Sequence, residues 1–213
     1  ALMTTTTVND NVAVGNNALR LNTTGAQNTA IGSSALDANT TASNNVAIGQ
    51  NAMAVNTGSN NVAIGYNSAP NATTGTHNVS IGLSAAPNMT TGRFNLCIGN
   101  NDVGGTLTTG EFNMYLGYLA KAASGGAVGE IVLSTGNRLS TAKGDSTGFI
   151  DPNNGGVFQG NNSSSWSTTS DRRIKKNIED NTTGLDAINQ IRIRNFEYRT
   201  KDEITEVTSD AAI

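Results

Sequence analysis

The sequence has few of the residues that normally build a compact core or an active site. Aromatic side chains make up 5% of its 213 residues, and it contains three prolines, one histidine and one cysteine. The lone Cys97 excludes an intrachain disulfide framework and a cysteine-based zinc cluster. A membrane-spanning helix needs about 20 consecutive apolar residues, and no apolar run in the sequence approaches that length. The net charge of −3 does not indicate the basic surface that binds nucleic acid. We therefore expect no membrane insertion, no nucleic-acid partner, no cofactor and no metal.

Charged residues are scarce in the first half of the chain. Residues 1–117 carry six of them, whereas residues 171–213 carry seventeen. This change in composition predicts a boundary near residue 170.

A five-residue phrase of the form Asn-Val-Ala-Ile-Gly is, by contrast, abundant. Its seven copies end at glycines that are 17, 17, 16, 17, 17 and 18 residues apart: Gly15, Gly32, Gly49, Gly65, Gly82, Gly99 and Gly117. Such even repetition indicates a structural unit rather than a catalytic one. Seventeen residues are too few for a pair of helices, but they suit one turn of a β-coil with two short strands and two turns that contain glycine or asparagine.

Alternation within each phrase predicts which side chains share a face of the strand. Val46 and Ile48 lie on one face and Ala47 on the other, because side chains alternate along a strand. We expect valine and isoleucine to fill the coil interior and the small residues to face outward, where another chain packs closely. That outward row would be Ala13, Ala30, Ala47, Ala63, Ser80, Cys97 and Tyr115. The asparagine before each strand is expected to pair its amide between turns.

A coil of this kind is thin, and each turn buries few apolar side chains. This is weak stabilisation against about 1–2 kcal/mol of backbone entropy per ordered residue, so packing of three chains around one axis is expected. The phrase resembles the head repeats of trimeric autotransporter adhesins, which form trimeric parallel β-rolls, and similar repeats occur in phage tail fibres. The resemblance covers residues 9 to about 120 and leaves open which of these two protein classes applies.

Residues 121–170 are rich in glycine, serine and asparagine, which predicts a β-rich tip and linker. The clearest strand candidate there is "GEIVLSTG" at residues 129–136. Three aromatic residues of the tip, Phe149, Phe158 and Trp166, are candidates for binding a host cell-surface receptor, either a glycan or a protein. The alternative for each is that it packs in the core of the trimer.

The segment "SDRRIKKNI" at residues 170–178 resembles the start of the intramolecular chaperone of phage tail spikes and fibres, best known from endosialidases. It matches the family pattern Ser-Asp-x-Arg-x-Lys-x-Asn-Ile at Ser170, Asp171, Arg173, Lys175, Asn177 and Ile178. Downstream, "GLDAINQIRIRNFEYR" fits the short helix and strand of that family. Residues 171–213 correspond to the opening part of the family's longer chaperone.

The resemblance implies a self-cleavage reaction. In that family the chaperone brings three chains together and is then cut off between the serine and the aspartate. Here the cut falls between Ser170 and Asp171, with Ser170 as the nucleophile. The motif lysine, Lys175, is the first candidate for its base and Lys176 the second. A lysine serves as a base only where burial or neighbouring positive charge lowers its pKa. Any enzymatic activity is therefore at most a single turnover of a serine peptidase on its own chain.

These inferences combine into one expected organisation. The chain is all-β, with a trimeric parallel β-roll of about seven 17-residue turns over residues 1–120. A β-rich tip follows over residues 121–170, and a small α+β chaperone begins at residue 171. The expected function is a structural and receptor-binding part of a phage tail fibre or tailspike, located in the virion as a homotrimer and in contact with other tail proteins. The alternative is the head of a bacterial trimeric adhesin at the cell surface.

Overall fold

The computed structural model describes residues 10–135, 139–152, 156–159 and 166–168. The chain divides into two units, residues 1–170 and residues 171–213, and every described residue belongs to the first. Each copy of the repeated phrase forms one short strand: β1 Val12–Val14, β2 Thr29–Ile31, β3 Val46–Ile48, β4 Val62–Ile64, β5 Val79–Ile81, β6 Leu96–Ile98 and β7 Met114–Gly117. The described residues contain six more strands: β8 Ala120–Lys121, β9 Ile131–Ser134, β10 Ser140–Thr141, β11 Gly148–Asp151, β12 Val157–Gln159 and β13 Trp166–Thr168.

The strands stack in register into one parallel sheet. β1 to β7 pair in chain order, so that each residue lies beside its equivalent one turn later, as Ala47 does beside Ala63. β9 and β11 continue the stack beyond residue 120, with Val132 between Tyr115 and Phe149. Nine parallel strands thus form a β-solenoid of about eight turns, and the described residues contain no helix. The predicted all-β parallel coil is confirmed.

The other four strands, β8, β10, β12 and β13, lie outside this parallel stack. β12 pairs antiparallel with β11, and β13 pairs antiparallel with β12. β8 and β10 form a separate two-stranded parallel sheet. The edge of the stack at β11 is therefore covered by a strand of opposite direction, which ends the parallel repetition.

The strand faces are oriented opposite to the expectation. Ala47 and Ala63 are fully buried inside the coil, whereas Ile31 on the other face is 38% exposed. The prediction that valine and isoleucine fill the interior is therefore wrong. The interior leaves room only for a small strand residue, because the wall facing the strands already supplies large buried side chains such as Leu36 and Met53.

The inward row stays buried although its residues grow larger toward the C-terminus, where Cys97 and Tyr115 are both fully buried. Gly104 leaves room for these two side chains, since a Cβ atom on it would lie 2.7 Å from Cys97 Sγ and 3.7 Å from Tyr115 Cδ2. The row therefore lines the core of the coil and does not face a neighbouring chain.

Buried asparagines connect successive turns. Asn78 donates from Nδ2 to the carbonyl oxygen of Gly92 at 2.7 Å, and its Oδ1 accepts from the backbone N–H of Asn95 at 3.0 Å. The same pattern repeats from Asn11 to Asn113. Direct amide-to-amide bonds join the last three steps of the series. The predicted asparagine ladder is confirmed, and backbone groups are its most regular partners.

Candidate functional site

The residues predicted to carry self-cleavage lie outside the described part of the chain. These residues are Ser170, Lys175, Asp171, Arg173, Asn177 and Ile178, and their roles stay predictions. Among the residues that the structure does describe, no three histidine, cysteine, aspartate or glutamate side chains are grouped so that they could hold a metal ion. No helix in the same part of the chain has the length and apolar character needed to cross a membrane.

The most extensive functional candidate is an apolar surface on the strands, which we call the outward face. It consists of the first and third residues of successive strands: Val12, Val14, Ile31, Val46, Ile48, Val62, Ile64, Val79, Ile81, Leu96, Ile98, Met114, Leu116, Ile131 and Leu133. Several of them are strongly exposed, including Val14 at 57% and Ile131 at 45%. A contiguous apolar surface of this extent is unusual on a monomeric protein and marks an interaction surface.

Glycines fix where the outward face stops. Gly65 directly follows β4 with a φ of +131°, and a Cβ atom on it would overlap the carbonyl oxygen of Gly82 in the next turn. Only glycine allows this combination of backbone conformation and close approach. The chain therefore turns away from the face after the same residue in each turn, and the face keeps a straight border.

At its C-terminal end the outward face contains a groove of about 360 Å³. Its apolar lining includes Ile131, Leu133 and Ile150, and it also reaches Gly129 and Ser146. Phe149 lines it as well but is only 3% exposed, and Lys143 Nζ lies 4.3 Å from the centroid of its ring. Phe149 therefore serves as a core residue and not as an exposed receptor anchor. The side chains of the other two predicted anchors, Phe158 and Trp166, lie outside the described set.

Three aromatic side chains form an exposed column that sequence reasoning missed. The rings of His77 and Phe94 are stacked with centroids 4.8 Å apart, and those of Phe94 and Phe112 with centroids 5.0 Å apart. Each of these residues directly precedes the asparagine of a repeated phrase. The signal was present in the sequence, since aligning that position across the turns places His77, Phe94 and Phe112 in consecutive rungs.

A buried acid takes the asparagine position in the eighth turn. Glu130 is fully buried, and its Oε2 accepts a 2.7 Å hydrogen bond from the Tyr115 hydroxyl and a 3.2 Å bond from the Ala123 N–H. Burial raises the pKa of Glu130, and burial together with the carboxylate raises that of Tyr115. Burial also raises the pKa of Cys97 to about 12, so this thiol is not a nucleophile but a small core residue, as the sequence indicates.

Comparison with family models matches residues 170–212 to the chaperone of endosialidase. The comparison with curated proteins found no match, and the comparison with solved structures found none either. The matched segment begins at Ser170, where the rise in charge had predicted a boundary. The match and the β-solenoid together fit a phage tail protein that carries an endosialidase-type chaperone, and this chaperone family implies trimeric assembly.

Proposed function

We propose that this chain is a structural and host-attachment component of a phage tail fibre or tailspike, assembled as a homotrimer in the virion. The observation that carries the proposal is the order of its parts: a β-solenoid with an apolar outward face is followed at once by an endosialidase-type chaperone segment. The repeats alone fit both a phage tail protein and a bacterial adhesin. The match to the endosialidase chaperone favours the phage tail protein.

The outward face supports packing of three solenoids around a common axis. Since the small residues point into the coil, the valines and isoleucines are the side chains that a neighbouring chain can cover. Covering them removes a long apolar surface from water, which is the main favourable term in protein association. The same packing adds a second apolar core to a coil whose own core is thin, and the free energy of unfolding then depends on assembly.

A charge on the outward face tests this arrangement. In the full-length chain, Ile64→Arg places three unpaired guanidinium groups in one layer of the proposed interface, and sedimentation should then show loss of the trimer. Val55→Arg is the matched control, because Val55 is exposed at 43% but lies in a turn away from the strands. A wild-type chain that sediments as a stable folded monomer would contradict the proposal.

The second part of the proposal is a single cut between Ser170 and Asp171 after assembly. It is supported by the six matches of "SDRRIKKNI" to the family pattern and by the match of residues 170–212 to the family model. Ser170 acts as the nucleophile and Lys175 as its base. The cut follows assembly because the chaperone is needed only until the three coils have formed their non-local contacts, which form slowly.

Peptide mapping by mass spectrometry tests the cut in the full-length protein. Ser170→Ala should leave the chain uncut and still trimeric, and Lys175→Ala should slow or abolish the cut. Lys201→Ala, which removes a lysine outside the motif, is the control that should still be cut. A wild-type trimer that remains intact between residues 170 and 171 would remove the processing step and leave the assembly role in place.

A further inference from the structure

The exposed column of His77, Phe94 and Phe112 joins successive turns by ring stacking but leaves much of each phenylalanine open to solvent. Phe94 and Phe112 are 44% and 57% exposed. The residue at the equivalent position of every turn has a φ angle near +60°. Asparagine fills the same position at Asn44 and Asn60, with φ angles of 62° and 63°. Asparagine tolerates this left-handed conformation, and the repeat also imposes it on large core residues such as Leu36 and Met53. The exposed rings, and not the backbone conformation, therefore distinguish this position.

The column ends at an open step. The position after Phe112 in the series is Gly129, with a φ of +69°, and the one after that is Ser146, with a φ of +58°. A Cβ atom on Gly129 would make ordinary contacts of 3.6–3.7 Å with Ser146 and none closer. The next residue in the series carries no side chain, so no ring from the following turn stacks on Phe112, and Gly129 and Ser146 also line the groove described above. We call the place of this missing side chain the gap.

We propose that this open step and the aromatic column are a binding site for a neutral saccharide, with one sugar ring stacked on Phe112 in the gap above Gly129. A pyranose ring has an apolar C–H face that suits an aromatic ring and hydroxyl groups around its edge that need polar partners. The proposal deepens the attachment role proposed above by naming the ligand class and the surface that binds it.

The polar groups around the step fit the hydroxyl edge of such a ring. Arg93 Nε donates to Glu111 Oε1 at 2.7 Å beside Phe112, and Asp145 Oδ1 accepts from the Val128 N–H at 2.9 Å beside the gap. These groups supply both donors and acceptors at the solvent-exposed border of the column. Of these three side chains two are acidic and one is basic, so the local charge disfavours an acidic saccharide.

The test measures saccharide binding by the full-length chain and by two variants. The probe is a printed panel of neutral oligosaccharides built from hexoses, deoxyhexoses and N-acetylhexosamines, with sialylated oligosaccharides as the acidic arm. Phe112→Asn removes the ring but keeps a residue that this conformation accepts, and Gly129→Phe extends the stack and fills the gap. Each should weaken binding of a neutral hit about tenfold or more. Val55→Asn, which removes an exposed apolar side chain elsewhere, should leave it unchanged.

The bound geometry provides a second readout. In a titration of the neutral hit followed by proton NMR, sugar C–H protons stacked on Phe112 should move upfield with the wild type and not with Phe112→Asn. Absence of binding to every neutral member, stronger binding to the sialylated arm, or equal binding by Phe112→Asn would overturn the proposal. So would loss of the trimer in Phe112→Asn, since the column would then be an assembly contact. Sedimentation of the wild type tests the trimer separately, so a failure of the proposed assembly is distinguishable from a failure of this site.

Discussion

Glu130 places a carboxyl group where the earlier turns have the amide of an asparagine. Its Oε2 is bonded to Tyr115 and Ala123, while its Oε1 is buried without a partner among the described residues. Burial raises the pKa of this carboxyl group. The folded chain therefore holds the proton over a pH range in which the unfolded chain has already released it, and the free energy of unfolding falls as the pH rises from the unfolded pKa of about 4.3 through the folded one.

The substitution Glu130→Gln should remove this fall in the free energy of unfolding with rising pH. An amide accepts the Tyr115 hydrogen bond and carries no charge, so we expect the variant to be more stable than the wild type at pH 7 by about 1 kcal/mol. At pH 4 the difference should largely vanish, because the wild-type carboxyl group is then protonated in the folded chain. Urea unfolding at both pH values, at one fixed protein concentration, measures the two differences. A stabilisation of equal size at both pH values would contradict the role given to the proton. Asp10→Asn, at an exposed acid, is the control.

Residue roles were predictable where they follow from the repeat itself, as for the asparagines, and not where they depend on neighbours in other turns. His77, Phe94 and Phe112 look like isolated turn residues along the chain, and only stacking at 17- and 18-residue separations brings their rings together. Phe149 was a candidate receptor-binding residue because it lies in a glycine-rich segment, but its side chain is buried. Glycine-rich composition predicts turns but does not tell which side chains the turns cover.

At the scale of the element, one strand within each five-residue phrase was predicted correctly, but its faces were inverted. The second strand expected in each repeat does not form in the turns of β1 to β6, which lie wholly among the described residues. The two-residue alternation of Val46, Ala47 and Ile48 separates two faces without telling which one is inside. That choice depends on the width of the coil, which the side chains of the facing wall determine. Two further turns of the solenoid were missed because Glu130 and Thr147 replace the asparagine that precedes the strand. They lie before β9 and β11, so the repeated phrase is no longer recognisable there.

The asparagine ladder should contribute strongly to the stability of the stack. Asn78→Ala leaves the carbonyl oxygen of Gly92 and the N–H of Asn95 without their side-chain partners in a buried setting. We expect a loss of about 2–3 kcal/mol per chain, the cost of leaving buried polar groups unsatisfied. Gln50→Ala removes an exposed amide of similar size and should change little. Denaturant midpoints measure both, and similar midpoints for the two variants would show that the ladder is not a stabilising element.

At the scale of the whole molecule, the proposed cut makes assembly a one-way process. Three coils with long-range pairing form slowly, and a linked chaperone raises the local concentration of the chains. Once it has been removed, the trimer persists because of a high barrier to unfolding and not because it can readily reform.

Refolding yields test this directly. Cut wild-type trimer, purified away from its chaperone segment, and uncut Ser170→Ala trimer are unfolded in denaturant and diluted under identical conditions. We expect the uncut variant to recover trimer in clearly higher yield, measured by sedimentation. Equal recovery would mean that residues 171–213 do not assist assembly and would limit their role to the cut itself.

In-register stacking also has an evolutionary consequence. Each strand of the parallel stack pairs only with the strands of adjacent turns, and turns of 16, 17 and 18 residues all fit the same stack. Duplication or deletion of one whole turn therefore creates no new kind of contact and shifts no side chain to the wrong face. Gain or loss of whole turns would change the length of the solenoid in steps of about 4.8 Å, so that its length can diverge while the surfaces at either end are kept.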